Sequence, residues 1–111
     1  MIEVTILDFL NTHLSVLAYT DRQNKMPASY VIFEKTGGAK KNHLLSGTFA
    51  FQSYGKSKYE AGMLNEELKR VVEDLITLDV ISGVSLNSDY DFTDTTTKEY
   101  RYQAVFDINY Y

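Results

Sequence analysis

Two histidines, three aspartates and a glycine pair are the residues here whose types and spacing could do chemistry. His13 and His43 could act as general bases or metal ligands, because imidazole titrates near neutral pH and binds metals through either ring nitrogen. Neither has a partner in an H-x-E or H-x-x-x-H arrangement. His13 falls on the apolar stripe of a helix, where a partly buried, hydrogen-bonded ring is expected. His43 falls on a loop tip. Asp89, Asp91 and Asp94 spell D-x-D-x-x-D, a superficial calcium signal. An EF-hand loop starting at Asp89 needs glycine where Asp94 stands and glutamate where Tyr100 stands, so that pattern fails. A divalent ion shared between subunits is the metal reading that remains. Gly37-Gly38 fits neither the G-x-x-x-x-G-K-[ST] nor the G-x-G-x-x-G phosphate pattern. No G-x-S-x-G elbow supports a serine nucleophile. A hydrolase or nuclease would have to be built from Asp89, Asp91 and His43, which is too weak a set. The expectation is a protein that is not an enzyme and takes no metal or cofactor.

Composition narrows the field further. The chain has 111 residues, 44% hydrophobic and 23% charged, the size and make-up of one globular domain over residues 1–111. Cysteine is absent, which excludes disulfides, zinc-thiolate sites and thiol nucleophiles. No apolar run approaches the ~20 residues of a membrane helix, and MIEVTILDF lacks the basic start of a signal peptide. A cytosolic protein with no membrane partner is expected, unless a larger assembly carries it out.

The net charge of −4 argues against affinity for nucleic acid through phosphate neutralisation. Its distribution is uneven. Residues 34–70 hold seven basic and four acidic groups, whereas 71–94 hold six carboxylates and no Lys or Arg. Two patches of opposite sign suit a solvated surface, or a head-to-tail association in which one subunit's basic patch meets the next subunit's acidic patch.

The elements that must position these residues follow from periodicity. Ile2, Ile6, Phe9, Leu10 and His13 have helical spacing. Val16 to Tyr19 is a short strand, followed by a polar loop at Asp21–Lys25. Pro27 precedes a strand over Tyr30–Lys35. Gly37, Gly38, Ala39, Lys40, Lys41, Asn42 and His43 read as a long, mobile hairpin loop with a basic tip. Phe49 and Phe51 alternate with polar or small residues in a strand over Gly47–Tyr54. Ser57 and Glu60 form a capping box that opens a helix over Lys58–Leu78, with Ala61, Leu64, Leu68, Val71, Val72 and Leu75 on its apolar side. Glu66/Arg70 and Lys69/Glu73 are spaced to pair across its polar side. Val84, Leu86, Tyr90 and Phe92 alternate with Ser85, Asn87, Asp89 and Asp91, and Tyr100–Asn109 alternates likewise, which marks a β-hairpin. The order is α-β-β-β-α-β-β, an α+β domain with a largely antiparallel sheet. Tyr110 and Tyr111 lie beyond the last strand as a candidate docking tail, because aromatics are enriched at interface cores.

Three segments carry a resemblance: PASYVIFEKTGG, FAFQSYGKSKYEAGMLNEELKRVV and SDYDFTDTTTKEYRYQAVFDI. Together they resemble the small tail-completion, or tail-terminator, proteins of long-tailed phages and prophages of Gram-positive bacteria. The resemblance implies an α+β subunit that forms a ring, commonly of six copies, on the head-proximal end of the tail tube. Such a ring stops tube polymerisation and offers the surface to which the filled head docks. Its partners would be further copies of itself, the tail tube protein and a head–tail connector protein. It would reside in the host cytoplasm during assembly and then in the virion tail. Head-completion or stopper proteins are near relatives of similar size. A small ligand-binding α+β domain is the alternative from another class. For a structural role the candidate contacts are the loop Gly37, Gly38, Lys40, Lys41 and His43, the acidic set Asp89, Asp91 and Asp94, and the C-terminal pair Tyr110 and Tyr111.

Overall fold

The computed structural model describes residues 1–42 and 44–111, so His43 lies outside the described residues. The elements are α1 (Ile2–His13), β1 (Ala18–Tyr19), β2 (Tyr30–Lys41), β3 (Leu44–Gly55), α2 (Lys58–Glu73), a 3-10 turn (Asp74–Thr77), β4 (Ile81–Asp91) and β5 (Tyr100–Tyr110). This is an α+β domain with the expected element order. The five strands form one sheet in the order β1-β2-β3-β5-β4, antiparallel except for the short β1–β2 pair.

Both helices pack on one face of the sheet. Val31, Phe33, Phe49, Phe51, Ala104, Phe106 and Ile108 point to that face and meet Ile6, Leu10, Leu64, Leu68 and Val72. Phe51 is the hub, 5.3 Å from Phe33 and 5.9 Å from Phe106 between ring centroids. Such a cluster removes several large side chains from water, each worth roughly 1.5–3 kcal/mol. α2 begins with half of the expected capping box: the Glu60 N–H donates to Ser57 Oγ at 3.1 Å, but Glu60 Oε2 accepts from the N–H of Lys56, one residue before the N-cap, at 3.1 Å. Its α-helical geometry ends at Glu73, five residues before the expected Leu78, and tightens into the 3-10 turn. The opposite face has no helix among the described residues. It carries polar rungs, with Gln103 bonded to both Gln52 and Tyr90, and Asp107 accepting from both Thr48 and Asn87.

Three local expectations are corrected. The segment Gly37–Lys41 is not a loop. It continues β2 and pairs through to Leu44, so the turn shrinks to its tip at Asn42, whose φ is 52°. Gly38 and its cross-strand partner Gly47 serve packing. A Cβ on Gly38 would lie 2.9 Å from Lys35 Cε, and one on Gly47 would lie 3.3 Å from the same atom. Bare backbone at this cross-strand pair lets the Lys35 stem pass and set its Nζ 3.2 Å from Tyr110 Oη.

The first strand is only Ala18–Tyr19. The Asn11 side chain stands in for a neighbouring strand there, accepting from the Ala18 N–H at 2.7 Å and donating to its carbonyl at 3.3 Å. His13 is exposed rather than partly buried, with Nδ1 2.9 Å from the Phe9 carbonyl and its ring stacked on Phe9. No helix among the described residues is long and apolar enough to cross a membrane.

Candidate assembly interface

The candidate contact residues occupy opposite edges of the sheet. Gly37, Gly38, Lys40 and Lys41 are exposed on β2, whose outer side pairs with a strand, among the described residues, only where β1 meets Val31 and Ile32. Asp89 and Asp91 lie on β4, the strand at the other end of the sheet order. One chain therefore does not bring the basic and acidic sets together.

A bulge decides where the carboxylates point. The β4–β5 register shifts between Leu86 and Ser88, after which Asp89 sits opposite Ala104 and Asp91 opposite Tyr102. Ala104 faces the helices, so both aspartates do too. An extra residue in a strand reverses which side chains face which way. The unbroken alternation expected for Val84, Leu86, Tyr90 and Phe92 therefore fails after Leu86, and Tyr90 joins the polar, helix-free face.

On the helix side each aspartate finds a lysine of α2. Asp89 Oδ2 lies 2.5 Å from Lys69 Nζ, and its Oδ1 accepts from Asn65 Nδ2 at 2.7 Å. Lys69 also meets Glu66, so it pairs with these two rather than with Glu73. The hydrogen bond to Asp89, followed by that to Glu66, raises the Lys69 pKa above its ordinary value. Asp91 Oδ2 lies 3.3 Å from Lys58 Nζ. The Thr93 hydroxyl and backbone N–H both donate to Asp91 and hold its carboxyl below the usual range. Asp94 turns back on its own loop and accepts from the N–H groups of Thr96 and Thr97 at 2.9 and 3.4 Å, which lowers its pKa.

Exposed carboxylates without an ion partner lie elsewhere. Glu73, Asp74 and Asp79, at the end of α2 and the foot of β4, form no salt bridge among the described residues. Near them Ile76, Val80 and Tyr111 expose apolar surface. Tyr110 is not part of a free tail: it is the last residue of β5, buried, and paired with Leu45 and Ile81. Tyr111 is 70% exposed, and its N–H donates to the Val80 carbonyl at 3.0 Å.

One further cluster has no signal in the local spacing of its residues. Arg22 and Arg101 converge on Tyr54, each donating to its hydroxyl at 3.3 Å with its guanidinium over the ring. Arg101 also lies over Phe92, and Arg22 pairs with Glu99. Residues 22, 54, 92 and 101 share no spacing pattern, and only the fold brings them together. The cluster pins the loop after β1 and the base of the β4–β5 connection to the sheet. Among the described residues no three His, Asp or Glu side chains gather as a metal site.

The chain matches no family model and no curated protein sequence.

Proposed function

We infer that this chain is a structural phage-assembly protein: a subunit that joins head to tail into a ring, caps the head-proximal end of a tail tube, ends tube growth and offers the head-docking surface. One observation carries the inference. Lys40 and Lys41 stand exposed at one edge of the sheet, and Glu73, Asp74 and Asp79 stand exposed along the end of α2 and the segment leading into β4, the strand at the opposite edge, in no salt bridge among the described residues. Subunits with complementary patches at opposite ends associate heterologously, and such contacts close into rings or run on as filaments. The resemblance of the three sequence segments supplies the tail-terminator context. The role requires no catalysis, cofactor or metal, and its partners are further copies of the chain, the tube protein and the head-side connector.

The test is to add the purified chain to a polymerising tail tube protein of the same phage and measure tube lengths by electron microscopy. Capping shortens the tubes and narrows their length distribution as the chain is titrated in, with added density at one end. Unchanged lengths and bare ends overturn the capping role.

A further inference from the structure

The outer edge of β2 is open over most of its length. The Val31 N–H donates outward to the Leu17 carbonyl at 3.1 Å. Backbone groups alternate sides along an antiparallel strand, so Phe33 and Lys35 also aim theirs outward. After the bulge between Lys35 and Gly37 the outward positions pass to Gly38 and Lys40, because their partners Gly47 and Leu45 keep step with Phe49 and Phe51 on β3. Beyond Ile32 no strand among the described residues meets this edge. Among the described residues β4 likewise has no strand on its outer side.

Open edges invite pairing unless charge or bulges discourage it. Pairing β2 with a second β2 would set Lys35, Lys40 and Lys41 against their own kind. Pairing β2 with the β4 of another copy brings Lys40 and Lys41 instead beside Asp79, which leads into β4 and is exposed. The directions also agree. β2, β3, β5 and β4 alternate in direction, so a second copy continuing the sheet lays its β4 antiparallel to β2, the more stable arrangement. In that direction the Lys40–Lys41 end of β2 meets the Ile81 end of β4, beside Asp79. β2 breaks once, after Lys35, and β4 breaks twice, around Ser82 and after Leu86. The regular run Gly37–Lys41 thus faces the regular run Gly83–Leu86.

We propose that a second copy of this chain occupies the open β2 edge, its β4 entering antiparallel so that the sheet continues from subunit to subunit, with Lys40 and Lys41 set against Asp79. The proposal rests on the head-to-tail assembly inferred above and names the strands that would make its joint.

Cysteine cross-linking tests it, since the chain has no cysteine of its own. Lys41→Cys and Ser82→Cys are introduced together into the full chain. β2 and β4 are three strand spacings apart, about 14 Å, beyond the ~7 Å reach of a disulfide, so a cross-link between them must join two copies. Mild oxidation should convert most of the protein into a covalent ladder ending at the ring size and collapsing on reduction. Each single variant should give no more than a dimer, and raised salt should thin the ladder. A second pair, Lys41→Cys with Asp79→Cys, covers the case in which Ser82→Cys disturbs the strand. Association by sedimentation with no ladder from either pair overturns the edge pairing and leaves the assembly role standing. A chain that neither associates nor cross-links also overturns the pairing, and the tube-length measurement then judges the assembly role separately.

Discussion

Lys69 Nζ lies 2.5 Å from Asp89 Oδ2, with the two side chains only 17% and 26% exposed. This contact takes the central carboxylate of an acidic strand and turns it into a clasp between β4 and α2. Asn65, 2% exposed, steadies the same carboxylate through its other oxygen. Removing one partner leaves the other charge partly buried and uncompensated. Lys69→Met should therefore cost about 1.5–3 kcal/mol, the range for losing a hydrogen bond to a charged group. Lys69→Met combined with Asp89→Leu should cost less than the sum of the two single changes. Urea midpoints for the four chains of that cycle measure the coupling. Strictly additive losses would mean that the two residues do not support each other.

Gly55 closes β3 against the first turn of α2. A Cβ there would stand 2.5 Å from the Ala61 backbone nitrogen, an atom no rotamer change can move. Gly55→Ala should lower stability by roughly 1–3 kcal/mol through forced displacement of the helix start. Gly37 has open space around its Cβ position, so Gly37→Ala should shift the melting temperature little. Comparing the two melting temperatures checks the assignment.

Much of this architecture is legible in the sequence, and the failures share a cause. The apolar stripe from Ala61 to Leu75 and the Ser57–Glu60 box define α2 because they depend on residues within a few positions of each other. The alternation of Tyr100–Asn109 defines β5 for the same reason. Where β2 ends and which way Asp89 points depend on partners far along the chain. Gly37-Gly38 reads as a loop until Gly47 and the Lys35 stem are placed beside it. Asp89 reads as solvent-facing until the bulge after Leu86 is seen. The in-chain lysines that take up Asp89 and Asp91 then move the free acidic surface to Glu73, Asp74 and Asp79, and no local spacing signals that exchange.

The Asp91 carboxyl titrates below its ordinary value because Thr93 donates to it twice and Lys58 stands beside it. A group whose folded pKa is depressed stabilises the fold above its unfolded value, about 3.9 for aspartate, and loses that contribution as pH falls through the folded value. Asp91→Asn should therefore flatten the acid limb of the stability curve below about pH 4 while lowering stability at neutral pH. Urea unfolding between pH 2 and 7 would show the change, and parallel curves would refute it.

Reversing charge at the basic edge tests the electrostatics of assembly. Lys40→Glu with Lys41→Glu should weaken self-association and tube capping and leave the melting temperature of the subunit nearly unchanged, because both side chains are exposed. Raised salt should mimic the substitution in the unaltered chain. Sedimentation of both proteins across a salt series reads the effect, and equal association throughout would remove charge from the account.

The most direct measurement is electron microscopy of particles made by a phage or prophage from which the gene for this chain has been deleted. Overlong or ragged tails beside filled, unattached heads are the expected result for a ring that caps the tube. Tails of normal length beside leaking heads would place the protein on the head side of the joint, and intact infectious particles would contradict the assembly role altogether.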